Sequence, residues 1–450
     1  MTTVEDCSDL VGAQVTLCGP TANGCGLVFE GGLGCAAACA RAGRQCVASF
    51  DDVTGQCAAD TARPALLCAQ TGHGTDYCEC GPVVGERPDA GMTGTPVEED
   101  CTRYPYRAET LLAEREGFGR NARGGDPSRV YRVTTLSGDT SGNGDSGSLR
   151  RALESAAPYW IVFDVEGTIT FNTRVEVQSN KTVDGRGRDI HVRGNLRFED
   201  ATNIILSDVR FSNDLEGHCT QAGDILTFTG TGNNDPNAFT TRNIFINHVE
   251  LFNGGDGLLD LRGASLVTVA WTHFHQHKKG LLMWGDREGN DTPGMRVTMH
   301  HNFFDRISLR GPQMVYGWMH YFNNYQYRWY EYGAGSLGGA QFASEANIYQ
   351  ARPNCGVVEY AQGGCQDPNP CGDNDLGTST QALVTEWAGN GIGNTRSTND
   401  LLLEGAVVSV VNPTGVFEPA AQYSYSAEVA TEALAQRIST SAGPRTTYCR

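Results

Sequence analysis

One short phrase returns five times between residues 241 and 350. The five segments read RNIFINHVELF, SLVTVAWTHFH, MRVTMHHNFFD, GWMHYFNNYQY and AQFASEANIYQ. Apolar and polar residues alternate in each of them, which indicates a β-strand, because successive side chains of a strand point to opposite faces. We assign equivalent places in the last four phrases to His273, Asn302, Asn324 and Asn347, at separations of 29, 22 and 23 residues.

A repeat of this length predicts a solenoid in which each repeat forms one coil. No helical pattern separates the short strands, so βαβ units are excluded and we predict an all-β fold, a right-handed parallel β-helix. Like residues then stack along the axis, and an Asn in each coil can hydrogen-bond the coils above and below it. Asn302, Asn324 and Asn347 are therefore expected to be structural.

Sixteen cysteines constrain the rest of the chain. Ten lie in the first 80 residues and six follow, so each part can close its own disulfides. We predict a Cys-rich accessory module at 1–80, a Pro-, Gly- and acid-rich linker at 81–100 and the β-helix at 101–450. The module either binds carbohydrate or acts as a stabilising spacer. The minor alternative is a metal site that uses the close pairs Cys35 with Cys39 and Cys78 with Cys80.

Cysteine content and charge limit the compartment and the partners. Disulfides form in an oxidising compartment, so we expect a secreted protein whose signal peptide, absent from this sequence, has been removed. No apolar run of about 18 residues is present, so we expect no membrane partner. The 52 acidic and 34 basic residues give a formal net charge of −18, which argues against nucleic acid. Capped solenoid ends favour a monomer.

Three aspartates lie at comparable points of successive coils, Asp224 in AGDIL and both Asp256 and Asp260 in GGDGLLD. Stacking of the coils can bring the three carboxylates together. Clustered hard oxygen ligands are typical of a Ca²⁺ site. The alternative for Asp256, which precedes Gly257, is an ordinary turn residue.

Basic residues follow on the next coils. HKKGLLMWG contains Lys278 and Lys279, and SLRGP contains Arg310. Strand alternation lets only one of the two lysines face the same surface as the acids. A single basic residue is usually a solvated surface residue, but here acids and bases occupy adjacent coils. Such a strip can hold a bridging cation together with an anionic sugar polymer, in spite of the negative net charge.

Several of these segments, in their order, resemble the pectate lyases of polysaccharide lyase family 1. They are INHVELF, DGLLDLRGAS, VTVAWTHFHQHKK, VTMHHNFFDRISLRGP and HYFNNY, together with WIVFDVEGTI and the terminal YSYSAEVATEAL. The resemblance covers roughly residues 105 to 445 and leaves the N-terminal module outside it. It implies a pectate lyase-like solenoid and a calcium-dependent cleavage of polygalacturonate (pectate) by β-elimination, which gives 4,5-unsaturated oligogalacturonides.

By this resemblance, Asp224, Asp256 and Asp260 bind Ca²⁺, Lys279 binds the substrate carboxylate, and Arg310 binds substrate and removes the proton at C5. A proton α to a carboxylate is weakly acidic, so Ca²⁺ and Lys279 have to stabilise the developing enolate-like charge. A free guanidinium keeps its proton far above neutral pH, so this base implies an alkaline optimum.

Two positions depart from the family pattern. Ala222 stands where another acid commonly precedes the first calcium ligand, and Val315 stands where many members carry a second substrate-binding arginine. The second change moves the site toward pectin lyases, which act on methyl-esterified pectin without calcium, whereas Asp256 and Asp260 favour pectate. The remaining alternatives are a non-catalytic pectin-binding β-helix protein and a polygalacturonase, which needs paired carboxylates at the scissile bond.

Overall fold

The computed structural model describes residues 104–138, 146–217, 223–230, 239–275, 277–285, 294–352, 379–446 and 448, and within the N-terminal part residues 15–21, 24–30, 35, 39, 44–51, 57 and 75–83. The chain divides into two compact units, Met1–Gly94 and Thr95–Arg450. The linker stays a prediction, because residues 84–100 lie outside the described part. Ala222 and the cysteines beyond residue 100 also lie outside it.

The first unit contains a small antiparallel sheet. Its strands are β1 (Val15–Thr21), β2 (Gly24–Glu30), β3 (Arg44–Asp51) and β4 (Thr75–Val83), in the order β1-β2-β4-β3. Disulfides join Cys18 to Cys57, Cys35 to Cys78 and Cys39 to Cys80. All four cysteines of the alternative metal site, Cys35, Cys39, Cys78 and Cys80, are therefore in disulfides, and that alternative is wrong. Each bridge closes a loop of about 40 residues, which stabilises the fold by ~4 kcal/mol in the chain-entropy estimate.

The second unit is a parallel β-helix whose coils contribute in turn to three sheets. Sheet A runs through β7 (Gly167–Thr170), β10 (Ile190–Arg193), β13 (Arg210–Ser212), β16 (Glu250–Phe252), β19 (His273–His275), β22 (Phe303–Asp305), β25 (Tyr325–Tyr327), β28 (Ile348–Gln350) and β31 (Leu401–Leu403). Sheet B runs through β8 (Val175–Glu176), β11 (Leu196–Glu199), β14 (Leu226–Thr229), β17 (Gly257–Arg262), β20 (Lys279–Trp284), β23 (Gln313–Val315), β26 (Ala334–Leu337), β29 (Gln381–Val384) and β32 (Val407–Val408).

Sheet C is the third wall. It runs through β5 (Asp126–Val133), β6 (Tyr159–Phe163), β9 (Lys181–Asp184), β12 (Thr202–Ser207), β15 (Thr241–Asn247), β18 (Ala264–Ala270), β21 (Arg296–His300), β24 (Trp318–Phe322), β27 (Gln341–Glu345) and β30 (Asn394–Thr398). All its pairs are parallel, so the parallel β-helix predicted from the repeat is confirmed.

Three α-helices and three short 3₁₀ turns accompany the coils in the described residues. They are α1 (Ala108–Ala113), α2 (Leu149–Glu154) and α3 (Glu432–Ser441), with 3₁₀ turns at Phe118–Asn121, Pro413–Gly415 and Pro419–Ala421. Helix α3 packs Leu434 and Ile438 on Phe303, Tyr325 and Ile348 of sheet A. None of the helices in the described ranges is long and apolar enough to cross a membrane.

The core contains columns in which one inward position is apolar over several successive coils. The column in sheet C is fully buried and contains Ile204, Ile244, Val267, Val297, Met319 and Phe342. Aromatic rings stack in the same way, Phe198 on Phe228 at 4.2 Å between centroids and Phe274 on Phe304 at 4.7 Å. Each coil therefore buries its apolar face only by lying in register on its neighbours.

A buried polar ladder fixes that register at the turn between sheets C and A. The backbone N–H of Thr272 donates to Asn302 Oδ1 (3.0 Å), that of Asn302 to Asn324 Oδ1 (3.1 Å), that of Asn324 to Asn347 Oδ1 (2.8 Å) and that of Asn347 to Asp400 Oδ1 (2.7 Å). The residue before each ladder position has a positive φ, as at Trp271, His301, Asn323, Ala346 and Asn399. This tight turn leaves the next N–H without a backbone acceptor in its own coil, and the side chain of the following coil satisfies it.

The register corrects one assignment made from the repeat. His273 pairs with Phe303, so the residue equivalent to Asn302 is Thr272. The sequence comparison aligned a polar His with a polar Asn, but a shift of one residue exchanges the two faces of a strand. His273 consequently lies on sheet A and outside the ladder.

We expect Asn324→Ala to destabilise the β-helix strongly. The side chain accepts from Asn302 and donates to Met299 O (2.9 Å) and Phe322 O (3.1 Å), and all of these groups are buried. Leaving them unsatisfied should cost about 3–5 kcal/mol, seen as a lower urea midpoint in circular dichroism. Asn121→Ala, at an exposed position, is the control and should change stability by less than about 0.5 kcal/mol; equal midpoints for both variants would contradict a structural role of the ladder.

Candidate active site

The five proposed site residues lie at the start of neighbouring strands of sheet B. Asp224 precedes β14, Asp256 precedes β17, Asp260 lies within β17, Lys279 opens β20, and Arg310 precedes β23. The order β14-β17-β20-β23 makes these strands successive neighbours. The coil repeat therefore converts residues 86 positions apart in sequence into one strip on one sheet.

Backbone pairing sets the strip in place. Asp256 N donates to Gly223 O at 2.9 Å, Gly257 pairs with Lys279, and Leu281 N donates to Arg310 O at 2.6 Å. These bonds belong to the parallel ladder that carries the core. The same backbone hydrogen bonds therefore hold both the site residues and the core beneath them.

Gly257 leaves room between two of the carboxylates. Its N–H donates to Asp224 Oδ1 at 2.8 Å, and a Cβ at this position would lie 2.8 Å from that oxygen and 3.5 Å from Asp260 Oδ1. A side chain would fill the space that the two oxygens share. Asp224 and Asp260 therefore present carboxylate oxygens to one space, and hard oxygen ligands are the kind that Ca²⁺ prefers.

Two cations already contact the acids. Lys279 Nζ lies 2.5 Å from Asp256 Oδ1, and Arg262 donates to Asp260 Oδ2 from Nε at 3.1 Å and from Nη2 at 3.0 Å. Lys279 is thus a lysine of the HKK segment that faces the acids. Arg262 was missed in the sequence, although the signal was present: residues i and i+2 of a strand share one face.

The acids disfavour one another's ionisation. Burial and then the charge of Asp256 raise the pKa of Asp224. Burial and then the charge of Asp224 raise the pKa of Asp260 to about 6, against the opposing charges of Arg262 and Arg310. Repulsion of this kind is what a bound divalent cation relieves.

Arg310 has a left-handed backbone conformation with a φ of +59°, as do the turn residues Arg306 and Arg328. Its Nε is buried without a hydrogen-bond partner among the described residues. The side chain lies beside Tyr332, whose ring is 4.7 Å from that of Trp387. Backbone and aromatic packing therefore hold the guanidinium at the end of the strip.

Asp260→Asn should change how stability depends on pH in the presence of a chelator. The folded-state pKa of Asp260 is about 6 against an ordinary 3.8, so the folded protein holds this proton longer than the unfolded chain does. As the pH rises from about 4 to about 6, the stability of the wild type should therefore fall. The variant should be ~1–3 kcal/mol more stable than the wild type at about pH 8 and equally stable at about pH 4. Urea midpoints at both pH values test this, with Asp164→Asn as the surface control; no gain at the higher pH would contradict the buried charge.

Comparison with known proteins is consistent with this geometry. The pectate lyase family model matches residues 168–446. A probable pectate lyase of Solanum lycopersicum is 31% identical and a pectate lyase of Nicotiana tabacum is 32% identical, each over 54% of this chain; the chain spans only 63% of each relative's length.

Solved structures share the fold. The major allergen of cedar pollen superimposes with a TM-score of 0.58 at 22% identity, over 74% of this chain and 94% of the allergen. A pectate lyase from Bacillus sp. N165, solved in complex with trigalacturonate, gives a TM-score of 0.51 at 19% identity, over 74% of this chain and 99% of that protein. Since the family model covers more than half of the sequence, the chain belongs to the pectate lyase family.

Proposed function

We propose that the protein is a pectate lyase that cleaves polygalacturonate by calcium-dependent β-elimination. The observation that carries the proposal is the strip on sheet B, in which three acids are followed by Lys279 and Arg310 on the next two coils. Relatives named as pectate lyases and a Bacillus pectate lyase solved with trigalacturonate support the same substrate class.

The strip answers the charge problem that the sequence poses. A chain of net charge −18 repels a polyanion, so binding needs a local change of sign. Asp224, Asp256 and Asp260 would hold Ca²⁺, which would offset the negative charge of the chain and supply Lewis-acid stabilisation of the substrate carboxylate. Lys279 and Arg310 add two positive charges on the adjacent coils.

The elimination removes one proton and breaks one C–O bond. Arg310 takes the proton from C5, the C–H electron pair forms the C4–C5 double bond, and the C4–O bond to the leaving sugar breaks, its oxygen taking a proton from solvent. Lys279 donates to the substrate carboxylate and stabilises the negative charge that develops there. Arg310 binds the polyanion as a cation but can accept the C5 proton only after its guanidinium has lost a proton, so the rate should rise toward alkaline pH.

The surroundings of the reaction are part of the proposal. We infer that the protein is secreted and acts as a monomer on pectin in an oxidising environment, in line with the disulfides of the first unit. The N-terminal module either binds polysaccharide or acts as a stabilising spacer. Retention of residues 1–80 on insoluble pectin or cellulose would favour the first role.

A pectin lyase acting on methyl-esterified pectin is the second candidate. Two features of sheet B favour it, the ion pair of Asp260 and the apolar residue at Val315. Arg262 pairs with Asp260, and Arg262, Trp284 and Val315 form one column across successive strands. Asp260 thus already has a cationic partner of its own, and Val315 is a buried apolar residue. Activity on methylated pectin that survives a chelator would favour this candidate.

Arg310→Lys should abolish most of the activity while the protein stays folded. Loss of a positioned general base typically lowers the rate by ~10²–10⁴-fold, and lysine keeps the charge but not the guanidinium geometry. The assay is ultraviolet absorbance of the unsaturated product from polygalacturonate at alkaline pH, with calcium and then with excess chelator. Arg174→Lys, a surface residue of sheet B's first coil, is the control. Wild-type rates in Arg310→Lys would show that this residue is not the base. If the wild type forms no product from polygalacturonate or from methylated pectin, the protein binds pectin without cleaving it.

Arg262→Ala should strengthen calcium binding in the absence of substrate. Asp260 has to exchange Arg262 for the ion, and a half-exposed ion pair contributes up to ~1 kcal/mol, so the affinity should rise roughly 2- to 5-fold. Calorimetric titration with CaCl₂ measures this, with Arg174→Ala as the matched control because that arginine pairs with Glu176 away from the strip. Weaker calcium binding in Arg262→Ala would instead mean that Arg262 positions the carboxylate.

A further inference from the structure

Sheet A carries a second cluster of metal-ligating side chains, away from the strip on sheet B. Glu250 of β16 pairs in register with His273 of β19, and His275 lies two residues further along the same strand and on the same face. Each of the three residues offers a ligand atom, and these atoms all lie within 4.8 Å of one another. His275 Nε2 is already 2.7 Å from Glu250 Oε1.

The two imidazoles are held rigidly by stacked rings. His273 stacks on His275 with 4.3 Å between centroids, Phe303 of the next coil stacks on His273 at 4.9 Å, and Phe252 stacks on His275 at 5.1 Å. These contacts fix the ring planes without using any ring nitrogen. A pair of histidines prepared in this way loses little side-chain entropy when it binds a ligand.

Polar atoms of the cluster lack partners. His273 Nε2 is buried and has no hydrogen-bond partner among the described residues, although a buried imidazole nitrogen normally has one. Asp305 pairs in register with His275, and its Oδ1 is likewise buried without a partner in the part of the chain that the structure describes. Asp305 Oδ2 is 2.7 Å from Arg306, the nearest fixed cation.

We propose that Glu250, His273 and His275 form a binding site for a transition-metal ion of the Zn²⁺ type on sheet A. Two imidazoles and a carboxylate are a common donor set for zinc and a poor one for calcium, which prefers oxygen ligands alone. Asp305 stands beside the site as a further carboxylate that can orient a histidine or complete the shell. A bound ion would tie the coils of β16 and β19 together next to the surface covered by α3.

Zinc titration of the full-length protein tests the proposal. The protein is saturated with CaCl₂ to occupy carboxylate sites, titrated calorimetrically with ZnCl₂, and its thermal midpoint is measured with and without zinc. We expect one zinc ion per chain and a higher midpoint with zinc. His275→Ala and Glu250→Gln should each weaken zinc binding at least ~10- to 100-fold and lose the rise in midpoint.

Two controls separate this site from others. His191→Ala removes a histidine of the same sheet that stacks on Phe252 but lies outside the cluster, and it should keep wild-type zinc affinity. Asp256→Asn disables the carboxylate strip and should also keep it, so failure of the proposed lyase function leaves this test unaffected. Absence of zinc uptake by the wild type, or equal uptake by His275→Ala, would overturn the proposal. Anomalous diffraction at the zinc edge would place the ion directly.

Discussion

From Thr272 onward, the second unit depends on the hydrogen bond that the turn N–H between sheets C and A donates to a side chain of the next coil. The turn between sheets C and A needs a left-handed residue, and the N–H that follows is buried with no acceptor of its own. Asn302, Asn324 and Asn347 supply that acceptor from the neighbouring coil. Because each bond forms only when the coils are aligned, the ladder selects one register out of the several that apolar packing alone would tolerate.

A fixed register aligns equivalent side chains of successive coils in columns, and these columns form the strip on sheet B. The same alignment that stacks Phe198 on Phe228 inside the coil places Asp260 beside Thr227 on the outer face of sheet B. Acids and bases that are distant in sequence then become neighbours at the spacing between strands. Their mutual effects follow: the pKa of Asp260 rises through burial and Asp224, while Arg262 and Arg310 offset part of that rise. The core beneath the strip fixes the positions of these side chains, so the like charges stay close together.

Sequence reasoning succeeded where a pattern repeats and failed where one residue of shift matters. The alternation and the coil length were sufficient for the fold, and the order of acids and bases brought Asp224, Asp256, Asp260, Lys279 and Arg310 to one strip. His273 was misplaced because side-chain polarity was used to align it, whereas the backbone turn decides and assigns Thr272 to the ladder. Arg262 could have been found from strand alternation alone. The positive φ of Arg310 could not, since arginine has no local preference for the left-handed region.

His273 belongs to the second of two proposed ion sites, and the two sites lie on one scaffold but use different side chains. On sheet B the outward columns carry carboxylates, which suit a hard cation, and the adjacent lysine and arginine suit an anionic polymer. On sheet A the outward columns carry aromatic rings, and His273 and His275 enter that stack as rings while keeping nitrogen atoms available for a softer metal. Because every coil passes through both sheets, one parallel backbone ladder aligns the two donor sets. We therefore expect side-chain chemistry to decide which ion each proposed site prefers, since both sites lie on parallel strands.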